Sequence, residues 1–86
     1  MFEVILHRRA ARYFQRLDPK LQGQLRTKFE ALGRDPLGQP RIKPMAGEWD
    51  GFHRLRHGSL RVIFTVDLAA RTVVIAHIGP RGDIYK

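Results

Sequence analysis

The chain has 86 residues, 43% of them hydrophobic, and 16 Lys and Arg against eight Asp and Glu leave a formal charge of +8. That length suits one compact domain over residues 1–86, and the apolar content is too high for global disorder. Cysteine is absent, which excludes disulfides, cysteine-based zinc sites and thiol nucleophiles.

A surplus of positive charge on so small a surface attracts polyanions, and by itself does not separate nucleic acid from an acidic protein. The opening Met1-Phe2-Glu3-Val4-Ile5-Leu6 is too short for a signal-peptide core and lacks a basic flank. No apolar run approaches membrane-spanning length. The expectation is therefore a cytoplasmic protein with no membrane association.

Residues 2–6 are rich in strand formers and predict a first strand. The period then changes. Ala10, Tyr13, Phe14 and Leu17 fall at helical spacing and make one apolar stripe, with Arg9, Arg12 and Arg16 on the other side. Asp18-Pro19 restarts the chain, aspartate as a helix cap and proline in the first turn. Leu21, Leu25, Phe29 and Leu32 mark a second helix, and Gly33 is placed to end it. So tight a corner predicts a helical hairpin.

Residues 34–48 hold three prolines and two glycines and predict a surface loop. From Gly51 the period becomes two. Residues 52–56 alternate, residues 57–59 turn, and Leu60, Val62, Phe64 and Val66 mark one face of the next strand. Residues 67–70 turn again, and residues 71–78, apolar on both faces, predict a central strand before the tail 79–86. The order β-α-α-β-β-β predicts an α+β fold, an antiparallel sheet packed on one face by the N-terminal helical hairpin. Its other face is left open.

Alternation also assigns side-chain directions. Phe52, Arg54 and Arg56 share one face while His53 and Leu55 take the other. Arg61 opposes the apolar face of Leu60, Val62 and Phe64, so it projects from the open side with Arg54 and Arg56. Guanidinium forks on neighbouring strands fit phosphate oxygens. The competing reading of the strand arginines is a solvated outward face, and the helix set Arg9, Arg12 and Arg16 serves equally as an RNA anchor or as a solvated face.

Three stretches carry a resemblance: Lys43-Pro44-Met45-Ala46-Gly47, then Phe52-His53-Arg54-Leu55-Arg56, then Gly58-Ser59-Leu60-Arg61-Val62-Ile63-Phe64. With the ending Ile78-Gly79-Pro80-Arg81-Gly82-Asp83-Ile84-Tyr85, the set resembles the RelE/ParE toxin superfamily, and its RelE-type branch in particular. The likeness runs over nearly the whole chain. It implies a RelE-like fold and the toxin of a type II toxin–antitoxin system, one that enters the 30S ribosomal A site and cuts mRNA by attack of the ribose 2′-OH, without metal or other cofactor. It implies catalytic roles for Arg54, Arg61, Arg81 and Tyr85, with Lys43, Arg56 and Phe52 in RNA binding. It also implies a cognate antitoxin, acidic and partly disordered, in a hetero-oligomer with the toxin. Pro80 stands where a histidine is frequent in the family, which removes one proton carrier, and Phe52 stands where some members have lysine.

Arginine keeps its proton in proteins, so the acceptor for a 2′-OH proton has to be another group. Tyr85 starts from a pKa of about 10, and it can equally stack on a base. Among the histidines, His77 lies nearest the Gly79–Arg81 corner and is the favoured RNA-facing candidate. His53 is expected to pack, His57 to be solvated, and His7 has no evident partner. Histidine spacing suggests no metal site. Two other functions remain open, a ParE-like inhibitor of DNA gyrase and a noncatalytic RNA- or ribosome-binding protein.

Overall fold

The computed structural model describes residues 1–80. Strand β1 spans Glu3–Leu6, helix α1 Arg8–Gln15 and helix α2 Pro19–Arg34; strands β2 (Ile42–Pro44), β3 (Phe52–His57), β4 (Leu60–Asp67) and β5 (Thr72–Pro80) follow. The five strands form one sheet in the order β1-β5-β4-β3-β2. The expected α+β architecture, a sheet with a helical hairpin, is what forms.

Local chemistry explains the hairpin. The Asp18 carboxylate accepts a hydrogen bond of 3.0 Å from the Leu21 N–H, and Pro19 occupies the first turn of α2. The apolar stripes of both helices meet the sheet. Ala10, Leu25, Phe29 and Leu32 pack with Leu55, Leu60, Val62, Phe64, Val73, Ile75 and Ile78 in one core cluster. Phe14 and Phe29 close the helix side with ring centroids 5.9 Å apart.

Gly33 does not end α2, which continues to Arg34. Its role is close approach. The Gly33 carbonyl accepts from Phe2 N–H at 2.7 Å, and a Cβ at residue 33 would lie 3.1 Å from the Phe2 carbonyl oxygen. A side chain there would require the start of the chain to give way by a few tenths of an ångström.

The sheet is mixed rather than wholly antiparallel. Strands β2, β3, β4 and β5 pair antiparallel, whereas β1 pairs parallel with β5. Alternation within a strand reports its faces and not its direction, and β1 reaches β5 only after the rest of the chain has intervened. The stretch 34–48 is not all loop either. It supplies edge strand β2 and a 3₁₀ turn at Gly47–Trp49. A three-residue strand ending in proline is tolerated at an edge, where one face of the ladder stays unpaired. Strand β5 begins at Thr72 and takes in Gly79 and Pro80, which the sequence had suggested for the tail.

Register shifts between Ile63 and Phe64. Ile63 faces His77, but Phe64 faces Ile75, so Ala76 is an extra residue on β5. The bulge changes the phase of β5. Val73 and Ile75 before it and Ile78 after it are all buried in the core cluster, while His77 turns to the opposite face.

The glycines of α2 give opposite expectations. Gly33→Val should cost about 1–3 kcal/mol through overpacking against the Phe2 carbonyl. Gly23, where an added Cβ meets nothing within 4 Å, should gain up to about 1 kcal/mol as alanine. Urea unfolding midpoints of the two variants check both signs.

Candidate RNA-binding face

Burying Leu55 and Val62 under the helices sends their strand neighbours outward. Arg54 and Arg56 of β3 stand on the opposite face, as expected, and Arg56 pairs directly with Arg61 of β4. Arg61 in turn faces Gly79 of β5. Lys43 of β2 pairs with Arg54, Arg54 with Ile63 and Ile63 with His77. Two rows therefore cross the sheet, Lys43–Arg54–Ile63–His77 and Arg56–Arg61–Gly79. Ile63 is fully buried yet lies outside the main core cluster, an apolar floor flanked by Arg54 and His77.

Toward the β2 edge this face deepens into a concavity of about 480 Å³ lined by Arg41, Lys43, Arg54, Arg56 and Gly58. Four of its five lining residues are cationic. Arg41 was not singled out from sequence, because it lay in the stretch expected to be loop. The alternation Arg41, Ile42, Lys43, with Ile42 facing Leu55, was the available signal. Phe52 is half-buried, directly across from Thr65 on the same face, and its ring meets Trp49 edge-on at 5.3 Å. Trp49 too was unmarked in sequence, since nothing in its own stretch is periodic.

His77 is partly buried, and burial with the nearby Arg9 guanidinium, in that order, lowers its pKa below the usual imidazole value. Both effects favour the uncharged ring. The same interaction brings Arg9, at the start of α1, beside the strand face. Arg12 of α1 and Arg16 at its C-terminal cap are exposed, and the concavity does not include them. His53 packs as expected, stacked on Phe64 at 5.7 Å, with its buried Nδ1 lacking a hydrogen-bond partner among the described residues. His57 is partly exposed, and its Nε2 lies 3.0 Å from Gln24 Oε1 of α2 in an exposed contact that ties the β3–β4 turn to the helix. His7 precedes α1, its backbone N–H donating to Ile75 O while its side chain makes no capping bond. Arg81 and Tyr85 lie outside the described residues. Among the described residues, no group of three or more His, Asp or Glu is placed to hold a metal ion. No helix there is long and apolar enough to cross a membrane.

A second hollow, of about 510 Å³, lies by β1 and α2, lined by Phe2, Val4, Leu6, Phe14 and Phe29 with Arg26 and Arg34 among its polar residues. It is apolar where the first is cationic.

Comparison with known proteins agrees with this fold. Residues 4–85 match the family model described as the ParE toxin of the type II toxin–antitoxin system parDE. The chain is 34% identical over 79 residues to toxin RelG of Mycobacterium tuberculosis, covering 90% of this chain and 87% of that one. It is 32% identical over 88 residues to toxin RelE of the same organism, covering 99% and 87%. In structure it resembles a chain of the M. tuberculosis toxin–antitoxin complex RelBE2, with a TM-score of 0.81, 27% identity and coverage of 93% and 98%. The chain belongs to the RelE/ParE family of type II toxin–antitoxin toxins.

Proposed function

We propose that this toxin is an endoribonuclease of the RelE type, which cuts mRNA on the ribosome by attack of the ribose 2′-OH on the adjacent phosphate. The observation that carries the reading is the convergence of Lys43, Arg54, Arg56 and Arg61 on one sheet face, with His77 in the same row as Arg54. Arg56 and Arg61 are directly opposed across β3 and β4, and guanidinium forks match the oxygens of a phosphodiester.

The reaction needs an in-line geometry, charge neutralisation on the phosphate and the movement of two protons. Arg61 and Arg81 grip the scissile phosphate, and Arg54 steadies the chain from the Ile63 floor. The neutral ring of His77 accepts the 2′-OH proton as O2′ bonds to phosphorus. The bond from phosphorus to the 5′ oxygen then breaks, and that oxygen takes up a proton, with Tyr85 as its donor. The products are a 2′,3′-cyclic phosphate and a free 5′-OH. Phe52 with Trp49 offers aromatic surface on which a base can stack.

The toxin's partner on this reading is a cognate antitoxin, acidic and partly disordered in isolation. Its acidic residues answer the basic face, and the apolar hollow by β1 and α2 suits the apolar side of an amphipathic segment. Function and partner together place the protein in the cytoplasm. A second reading, a ParE-like inhibitor of DNA gyrase, is favoured by the matching family model. Against it, a toxin acting only by protein binding has no evident use for Arg54, Arg56 and Arg61 gathered on one sheet face.

Mapping mRNA 5′ ends after induction separates the two. The nuclease yields cuts within translated codons, and Arg61→Ala or Arg81→Ala lowers cleavage about 10²-fold while the thermal melt stays near wild type. Intact mRNA with altered plasmid supercoiling instead establishes the gyrase reading.

The histidine assignment has its own pH test. A base works only when neutral, so cleavage should fall as pH drops through the lowered pKa of His77, on the acid side of the ordinary value of about 6.5. His77→Gln should lower the rate and remove that acid limb; a limb that survives the substitution assigns the proton to another group.

A further inference from the structure

Among the described residues, Phe2, Tyr13, Phe14, Phe29 and Phe64 all belong to the core cluster or pack against it, whereas Trp49 and Phe52 do neither. These two rings meet each other instead, edge to face, with centroids 5.3 Å apart and planes at 89°. Both stay partly exposed, although aromatic side chains gain more than most by leaving water. In a perpendicular pair, the ring that presents its edge keeps both of its faces clear of the other.

The connection between β2 and β3 holds this pair in place. Met45 N–H donates to Phe52 O at 3.0 Å, Trp49 N–H to Ala46 O at 3.3 Å and Asp50 N–H to Gly47 O at 3.1 Å. From β4 the Thr65 hydroxyl donates to Gly51 O at 3.2 Å. Gly47 and Gly51, with φ of 67° and 90°, take the left-handed conformations that so short a connection needs. A ligand therefore meets rings on a backbone already ordered, which lowers the cost of binding.

Charge decides which chemical group suits the rings. Glu48 and Asp50, both exposed, flank Trp49 in the chain. Carboxylates on either side disfavour a phosphate there, and they disfavour an acidic peptide for the same reason. A flat, uncharged, π-rich group meets no such penalty. A nucleobase is that group, and Phe52 lies on the open sheet face that the RNA would follow.

We infer that Trp49, braced by Phe52, is the platform for one unpaired nucleobase of the RNA, and that it prefers a purine. Two fused rings cover the indole more fully than the single ring of a pyrimidine, and stacking strength is what gives such platforms their base preference. The inference rests on the endoribonuclease reading and adds a base preference to it. Trp49 acts as a positioning residue. It fixes which nucleotide lies at the end of the face and takes no part in bond making.

Trp49 is the single tryptophan of the chain, so its fluorescence reports the site directly. The test titrates the full-length chain with short 2′-O-methyl oligoribonucleotides, which cannot be cut. Oligoadenylate should quench the emission and bind severalfold more tightly than oligouridylate, and an abasic oligomer of equal length should bind without quenching. Trp49→Ala should weaken oligoadenylate binding about tenfold while leaving the salt slope unchanged, because no phosphate contact is lost. Trp49→Phe should recover most of that loss. A thermal melt shows whether Trp49→Ala still folds; if it does not, the wild-type comparison of oligoadenylate with the abasic oligomer decides alone. Emission that ignores the base, or equal affinity for these two probes, overturns the site. Equal affinity for oligoadenylate and oligouridylate overturns the purine preference. Quenching by a polyglutamate peptide and not by RNA assigns the rings to a protein partner and overturns the site as well. Base-dependent quenching together with intact mRNA in a translating extract sustains the site and refutes the nuclease reading. Cut mRNA without base-dependent quenching refutes the site alone.

Discussion

Burial of Leu55, Val62 and Ile78 beneath the helical hairpin decides the direction of the cations on the central strands. A strand has two faces, and once these residues are committed to the core their neighbours have no choice. Arg54, Arg56 and Arg61 emerge together on the far side because the residues between them are the ones that gain by leaving water. The basic face is in this sense the complement of the core. A slip of one residue in the β3–β4 pairing would bring arginines under α2 and leucine into solvent, a cost no surface interaction could offset.

The bulge at Ala76 extends the same logic to β5. Without the extra residue His77 would lie on the same side as Ile75, in the core. With it, Ile75 and Ile78 both remain buried and the histidine joins the row of Arg54. An irregularity in the ladder thus delivers an imidazole to the face that carries Lys43, Arg54, Arg56 and Arg61. Bulges are enriched where a side chain has to be re-aimed. The partial burial that comes with this position, along with Arg9, favours the uncharged ring, the form of a side chain that can take up a proton where arginine cannot.

Strong local signals made much of this legible in the sequence. The Asp18-Pro19 restart, the helical stripes and the strict alternation through β3 and β4 each involve residues whose physical preferences agree with their surroundings, and they led to the hairpin, the sheet and the shared face of Arg54, Arg56 and Arg61. Strand β2 was hidden because its Ile42-Lys43-Pro44 lies among prolines, and with it went Arg41 and the concavity. The bulge was hidden because Val73 to Ile78 is apolar at nearly every position, so no period marks the phase change. Gly33 looked like a helix stop because its contact partner, the Phe2 carbonyl, is distant in the chain. Parallel pairing of β1 with β5 carries no pattern of its own. Arg81 and Tyr85, named by resemblance alone, fall outside the described residues, so their part in the site rests on that likeness.

The central claim is that one face of the sheet, opposite the helices, receives the RNA. Amide chemical-shift mapping of the isotopically labelled toxin with a short, uncleavable single-stranded RNA addresses it directly. The account predicts shifts along Lys43, Arg54, Arg56, Arg61, His77 and Gly79, with the outward residues of α2 silent. Shifts confined to α1 and α2, with the strand arginines unmoved, would contradict it.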